Sequence, residues 1–325
     1  MLGHVTMAIN TGCNNSCIWC YDKMNQKQDI NMSDQTFDRA LSLIKQAGCK
    51  HITFLGGEPT LHSHLPTFVR KAAANSIDSV IISNGSGYSE AFLDAIEDIK
   101  HTVVLNIAIQ GATSFTHDKV TNNQGSFEKL LNGIDLAKSR GFEMGAIMTL
   151  CTANVHELTS VFQLLEDAGI DGLLINYAQP PINVLYFEND YLTIAKFSEQ
   201  IAASILSGVR SLNITVGPPL PLCRLSPLLR EMAKTKKIYL NSGCPLVKGH
   251  AITIAAEGSI LLCSHLTEVK TGNINDLGNI EAFNSLLAEI DIQIWKNVQK
   301  YPMEDCNTCK ENEQCFGGCP LLWIR

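Results

Sequence analysis

From residue 5 to about residue 206, short β-rich runs alternate with helical patterns, and this alternation limits the fold more than any other feature of the chain. The strand candidates fall at 5–10, 51–55, 79–82, 103–109, 143–150 and 172–176. Apolar positions at helical spacing predict helices over 33–47, 65–75, 89–99, 126–140 and 155–168, with a further one over 190–206. Ser33 stands where an N-cap belongs, and Gly48 and Gly141 follow their helices as C-terminal caps do. Strands separated by helices must run parallel, giving a sheet covered by helices. In such architectures the chemistry gathers at the C-terminal ends of the strands. Loops beginning at Gly56, Ser83, Gln110, Cys151 and Tyr177 therefore share one edge. Six units are too few for a closed eight-stranded barrel. Periodicity alone leaves a partial barrel and a doubly wound sheet both open.

Composition narrows the class. A chain of 325 residues has room for one large domain and a small one. Its 45% apolar and 18% charged residues suit an ordinary folded core. A net charge of −7 argues against a broad phosphate-binding surface, so no nucleic-acid partner is expected. The apolar stretches at 201–206 and 260–262 are far too short to span a bilayer, and no membrane association is expected. Residues 1–10 lack the basic start, apolar run and cleavage site of a secretory signal, which points to the cytoplasm. Twelve cysteines without an export signal read as reduced thiols or metal ligands, not as a disulfide framework.

Three of those cysteines lie in Cys13-Asn14-Asn15-Ser16-Cys17-Ile18-Trp19-Cys20, after the first strand. A closed zinc site wants four protein ligands. Three soft thiolates so close together suit a [4Fe–4S] cube with one iron left open. Gly56-Gly57-Glu58-Pro59-Thr60 follows the second strand. Alone it is a strand-to-helix turn, yet adjacent glycines let backbone approach a neighbour closely, and Glu58 offers a carboxylate for an ammonium. Ser83-Asn84-Gly85 follows the third strand and alone is an Asn-Gly turn.

Taken together, CX3CX2C and the loops after it resemble the radical S-adenosylmethionine (radical SAM) enzymes. The resemblance implies an open (β/α)6 partial barrel and a [4Fe–4S] cluster on Cys13, Cys17 and Cys20, whose open iron chelates SAM. Gly56, Gly57, Glu58 and Pro59 match the GGE motif that holds the SAM amino group. Ser83 and Asn84 are similar to the ribose-contacting loop, and Trp19 is expected beside the cluster and the adenine. The resemblance further implies that a low-potential donor such as flavodoxin or ferredoxin supplies an electron. SAM then yields methionine and a 5′-deoxyadenosyl radical that takes a hydrogen atom from substrate. The fourth strand departs from the pattern. Relatives with a C-terminal SPASM extension usually end it in Ser-x-Asp-Gly and often carry an Arg further on. Here the chain reads Ala108-Ile109-Gln110-Gly111, with Thr121 near the expected Arg. Gln110 can still donate and accept hydrogen bonds and is expected as a cofactor contact. His117 and Asp118 are expected to be structural.

Composition shifts after about residue 210, dividing the chain into 1–210 and 211–325. Gly217-Pro218-Pro219-Leu220-Pro221 is punctuated like a linker or extended segment. A helix is expected over 226–236 and a hairpin over 251–263, turning at Glu257-Gly258. Cys244, Cys263, Cys306, Cys309, Cys315 and Cys319 then give CX13GX4C, a gap, and CX2CX5CX3C. Pairs such as Cys306 and Cys309 could build a zinc ribbon. The whole spacing, with Gly272-Asn273-Ile274 and Cys315-Phe316-Gly317-Gly318-Cys319-Pro320, resembles the SPASM extension, a small Cys-rich α+β domain holding auxiliary [4Fe–4S] clusters. That resemblance implies Cys244, Cys263 and Cys319 on a first auxiliary cluster and Cys306, Cys309 and Cys315 on a second. The full pattern has seven cysteines and this chain has six, stopping at Arg325. One or two auxiliary clusters are therefore expected. Cys223 either completes the first or serves as a free thiol able to donate a hydrogen atom. Cys151 could present a thiol at the active edge, although core packing is the better reading, as it is for Cys49. Sulfatase-maturing relatives carry an Asp base after the Cys of GX4C. Ser264 and His265 follow Cys263 here, and His265 is the candidate base.

The substrate implied by the resemblance is a ribosomally made peptide, modified by cross-linking, oxidation or epimerisation. A small-molecule dehydrogenase and sulfatase-maturase-like protein oxidation are the alternatives, and a non-catalytic iron–sulfur or zinc module is a third. With a first strand by residue 5, leader recognition is expected from a separate leader-peptide-binding protein or from the SPASM region.

Overall fold

The computed structural model describes residues 2–23, 25–178, 191–217, 219–235, 238–241, 244, 251–267, 269–298, 306, 308–315 and 317–319. Phe316 and Pro320 of the tail motif, Pro218, and the first residue of the expected 190–206 helix lie outside them. Among the described residues, eleven strands form one sheet. They are β1 (His4–Ala8), β2 (His51–Leu55), β3 (Asp78–Ser83), β4 (Val103–Ala108), β5 (Glu143–Leu150), β6 (Gly172–Tyr177), β7 (Asn213–Val216), β8 (Ile238–Leu240), β9 (Ala251–Ile254), β10 (Ser259–Leu261) and β11 (Lys270–Asn273). Their order across the sheet is β11-β10-β9-β1-β2-β3-β4-β5-β6-β7-β8. β1 to β8 run parallel in chain order. β9 returns to pair with β1, also parallel, and continues into an antiparallel β9–β10–β11 ribbon.

β1 to β7 alternate buried and less buried residues over most of their length, with Val5, Met7, Ile52, Phe54, Leu105, Ile107 and Ile175 fully covered. Helices cover that face. In α1 (Asp34–Gln46), Phe37, Ala40, Leu41 and Ile44 form the apolar stripe, and the Ser33 hydroxyl accepts the Thr36 N–H at 3.1 Å. Gly48 continues at φ 87°, where a side chain would be strained. Phe37 stacks on Phe68 of α2 (Leu65–Ala74) with centroids 4.1 Å apart. Burying each such ring contributes about 2 kcal/mol. α5 (Ser126–Ser139 in the chain, after α3 (Glu90–Asp94) and α4 (Ser114–Thr121)) buries Leu130, Ile134 and Ala137. α6 (Leu158–Asp167) and α7 (Tyr191–Gly208) complete the βα units.

The mixed α/β fold with its large parallel sheet is the one expected, and the sheet is wider. β7 and β8 extend it past residue 210, beyond the six expected units. At four and three residues they are too short to stand out as strands from sequence alone. The expected 89–99 helix divides at Ile96 (φ −128°, ψ 8°) into α3 and a 3-10 stretch, Glu97–Thr102. Helix α4 has no apolar stripe to betray it, because its buried residues include Thr116, His117, Asp118 and Thr121. Among the described residues, no helix is long and apolar enough to cross a membrane.

Candidate cofactor cavity

The loop after β1 carries Cys13, Cys17 and Cys20 and is fixed from three sides. From β2, the Gly57 N–H donates to the Asn10 carbonyl and the Glu58 N–H to the Gly12 carbonyl, both at 2.8 Å. A Cβ on Gly56 would stand 2.2 Å from Asn10 Oδ1, and one on Gly57 would stand 2.2 Å from the Gly12 carbonyl oxygen. The close approach that this glycine pair permits is thus to the thiol-bearing loop itself. From α4, the carbonyls of Thr121 and Val120 accept the N–H groups of Ser16 and Ile18, each at 2.9 Å. From the turn after α4, Asn123 Nδ2 donates to the Asn14 carbonyl at 3.0 Å and to Asn15 Oδ1 at 2.7 Å. Asn84 Nδ2, after β3, donates to Asn14 Oδ1 at 2.7 Å. Two donors already face sulfur: the Asn15 N–H lies 3.4 Å from Cys13 Sγ and Gln26 Nε2 lies 3.5 Å from Cys20 Sγ.

These thiols open onto a cavity of about 340 Å³ at the carboxyl edge of the sheet. Of the residues expected there, Trp19, Gly56, Gly57, Glu58, Ser83, Asn84, Gln110 and His265 also line it. Pro59 is buried at the start of the 3-10 turn Pro59–Leu61 and shapes the loop from behind. Cys151 is not in the lining; its carbonyl accepts the Val155 N–H at 3.1 Å in the turn after β5. Cys223 is exposed in the 3-10 turn Leu222–Arg224, also outside the cavity.

Burial pushes the Cys13 and Cys17 thiols up to about 12, with Cys20 nearby adding to both. A thiolate there needs a positive centre beside it. Glu58 is buried as well, and burial raises its carboxyl against the pull of its hydrogen bonds. Its Oε1 accepts from Thr60 N–H at 3.1 Å, Thr60 Oγ1 at 2.6 Å and Ser83 Oγ at 2.7 Å. Its Oε2 accepts only the Asn84 N–H, at 2.8 Å, among the bonds of the described residues. A carboxylate has about four acceptor sites, so Oε2 keeps capacity for an ammonium donor. Two donors in the wall, Trp19 Nε1 and the Tyr177 hydroxyl, are buried without a hydrogen-bond partner among the described residues. Three thiols, a buried anion and two orphaned donors around one cavity fit an iron–sulfur cube with an amine-bearing ligand beside it.

The departures at β4 are accommodated. Gln110 Oε1 accepts the Thr149 N–H at 3.3 Å. Thr121 Oγ1 is engaged by the His117 carbonyl at 2.9 Å and Ser126 Oγ at 2.7 Å, within α4 and the start of α5. His117 is held near 4 by burial, and its Nδ1 accepts the Gln110 N–H at 3.2 Å. Asp118 caps α5, accepting from Gly125 N–H at 2.7 Å and Phe127 N–H at 2.9 Å. On the opposite wall His265 lies against Tyr21, ring centroids 3.9 Å apart, and burial pushes it down to about 4, leaving a neutral imidazole.

Sequence reasoning passed over four residues that the site uses. Asn14 and Asn123 tie loops together. Glu157 holds the loop after β4 through the Ala112 N–H at 2.7 Å and the hydroxyls of Thr113 and Thr116 at 2.8 and 2.7 Å. Tyr177 was legible only as the start of a loop at the active edge, with no role for its hydroxyl. The Asn-rich turns were the one available signal, since Asn favours such side-chain-to-backbone bonds.

The tail cysteines are not in the cavity lining, although the N–H of His265 in that lining reaches Cys263 Sγ at 3.5 Å. Cys263 has Cys244 as an electrostatic neighbour and packs with Cys319 around Leu266. Cys306 and Cys309 share a turn, the Cys309 N–H donating to the Cys306 carbonyl at 3.1 Å. Cys315 ends a one-turn helix, Asn312–Cys315.

A parallel sheet that delivers thiols, a buried carboxylate and polar loops to one edge defines a partial-barrel protein built around a cofactor cavity. Residues 7–165 match the model of the radical SAM superfamily, and the chain carries a radical SAM domain. It is 27% identical to the Fe-coproporphyrin III synthase of Methanosarcina barkeri, over 49% of this chain and 39% of that protein. It is 23% identical to the sporulation killing factor maturation protein SkfB of Bacillus subtilis, over 50% of this chain and 40% of that protein. The matched stretches thus span less than half the length of these relatives. In fold the chain is similar to Streptococcus suis SuiB bound to its precursor peptide SuiA. The TM-score is 0.73 at 14% identity, covering 98% of this chain and 72% of that one.

Proposed function

We propose that the chain is a radical SAM enzyme that modifies a ribosomally made peptide, by cross-linking, oxidation or epimerisation. The observation that carries this reading is the cavity, where Cys13, Cys17 and Cys20 face Glu58 on one wall and His265, from the Cys-rich half, on another. When bound, the cluster supplies one electron and SAM supplies the 5′-deoxyadenosyl radical. The chain's own residues bind, orient and enclose. Glu58 Oε2 accepts from the ligand's ammonium, and burial makes that charge pairing stronger than it would be in water. Ser83 and Asn84 hold the ribose edge, and Gln110 with the Trp19 and Tyr177 donors fixes the remaining polar groups. His265 and Tyr21 close the wall toward β9–β11, where a neutral imidazole can take a proton from substrate.

In this reading residues 1–210 carry the radical chemistry, and 211–325 carry auxiliary clusters on Cys244, Cys263 and Cys319 and on Cys306, Cys309 and Cys315. A reducing cytoplasm with a flavodoxin- or ferredoxin-type donor is the setting it requires. The peptide substrate is supported by the SuiA-bound state of SuiB and by the maturation role in SkfB's name. A second reading, a small-molecule substrate of the porphyrin class, is favoured by the similarity to Fe-coproporphyrin III synthase. Anaerobic incubation of the reduced, iron-loaded protein with SAM and either short peptides encoded beside its gene or an iron porphyrin, followed by mass spectrometry, separates the two. A mass change in a peptide supports the proposal. Turnover of an iron porphyrin with every peptide unchanged would refute it.

A further inference from the structure

The Pro-rich stretch after β7, punctuated in sequence like a linker or extended segment, is laid directly against the Cys-rich tail. The Cys319 N–H donates to the Pro219 carbonyl at 2.7 Å. Gly318 sits at φ 85°, and a Cβ there would stand 2.7 Å from Pro221 Cδ, so glycine is needed for the two segments to touch. One residue on from the proline, the Leu222 N–H donates to Cys315 Sγ at 3.4 Å. Arg230 of α8 (Pro227–Thr235), the helix that follows, pairs with Glu311 of the tail at 3.3 Å. The 3-10 turn Leu222–Arg224 carries Cys223, exposed, one residue after that contact with the tail.

The sulfurs consequently sort into two sets. Cys223, next to the Leu222 that bonds Cys315 Sγ, feels the Cys315 and Cys309 thiols electrostatically, whereas Cys263, which packs with Cys319, feels Cys244. We propose that Cys223 is the fourth thiolate of an iron–sulfur site whose other ligands are Cys306, Cys309 and Cys315. Cys306, Cys309 and Cys315 are three thiolates, and a fully protein-ligated cube takes four. The structure supplies the fourth from a segment far upstream, and not from the set containing Cys244. No three His, Cys, Asp or Glu side chains among the described residues converge on one ion-sized point. A cube takes its thiolates one to a corner, so convergence on a single point is not what it requires. Four protein thiolates leave no iron open, which makes this site an electron carrier and not a place where substrate binds. The Leu222 N–H on the Cys315 sulfur is the kind of contact that tunes such a cluster's potential.

This assignment rests on the reading that the tail holds iron–sulfur clusters, and the test separates the two claims. Full-length protein, purified without oxygen and loaded with iron and sulfide, is treated with iodoacetamide before and after iron is removed by a chelator, and each cysteine is followed by mass spectrometry. Cys223 is expected to be protected together with Cys306, Cys309 and Cys315, and all four should label when iron is removed. Labelling of Cys223 at the same rate in both states, with the other three protected, would overturn its assignment and leave the cluster reading intact. Labelling of every tail cysteine in the loaded protein, or zinc in place of iron, would overturn both. A second measurement uses Cys223→Ala in a chain whose Cys13, Cys17 and Cys20 are all alanine. A loss of between about one and about four irons per chain, or a new three-iron electron paramagnetic resonance signal, is expected. Unchanged iron content and spectrum would sink the proposal. If that variant does not fold, the labelling of the unaltered cysteines decides.

Discussion

Ser83 donates its hydroxyl to Glu58 at 2.7 Å, and this bond joins the loop after the third strand to the carboxylate after the second. The next residue, Asn84, gives its N–H to the same carboxylate and its side-chain amide to Asn14 of the thiol-bearing loop. Three strand ends are thus locked through one buried anion. The geometry that would face a ligand is set before any ligand arrives, which lowers the ordering cost of binding.

Replacing Glu58 with Gln removes the negative charge and sets an amide among donors that need an acceptor. SAM affinity, measured by anaerobic equilibrium dialysis, should fall by at least about tenfold, about 1.4 kcal/mol. Loss of charge-assisted bonds in a buried site should also cost about 2 kcal/mol of stability in chemical denaturation.

Gly57→Ala tests the contact between the two loops. Its Cβ would overlap the Gly12 carbonyl, which is backbone and cannot swing aside. The thiol-bearing loop must shift, so iron retained per chain after reconstitution should drop while far-ultraviolet circular dichroism keeps its α/β form. Full iron content in this variant would show that the loop contact does not position the thiols.

Asn123→Ala deletes two hydrogen bonds to the same loop, each worth about 1 kcal/mol. Neither partner is in the sheet core, so the expected change in unfolding midpoint is small. Iron should instead leave faster under chelator than from the parent protein. An unchanged rate would remove Asn123 from the loop's anchors.

Glu166 makes stability fall in acid. Burial alone would raise its carboxyl, but N–H groups of Ser211, Leu212 and Arg210 and the Arg210 guanidinium hold it down to about 2 from its ordinary 4.5. A depressed carboxyl contributes stability above the unfolded value and loses it as pH falls through the folded one. Urea midpoints should therefore decline between about pH 4.5 and about pH 2. Glu166→Gln should be less stable than the parent at neutral pH, and the gap should close near the lower limit. A gap independent of pH would contradict this.

Much of the frame was written in the sequence. β2 and β5 begin and end where the alternation predicted, because both carry runs rich in apolar and β-branched residues, closed by turn signals. Ser33 caps α1 as its position implied. The three thiols and Glu58 were legible from type and spacing. What was hidden depends on tertiary contact. Helix α4 buries polar residues, so no stripe marks it. Gly57 opens space for a backbone rather than for a ligand, which only the fold reveals. Leu222 and Cys315 meet across 93 positions of sequence, and proline composition carries no information about such a meeting.

The most direct test of the central claim is the fate of SAM. Protein reconstituted with iron and sulfide, reduced with dithionite under anaerobic conditions and given SAM should release 5′-deoxyadenosine, and the Cys13→Ala, Cys17→Ala and Cys20→Ala variants should release none. Iron-loaded protein that leaves SAM intact under strong reductant would contradict the account.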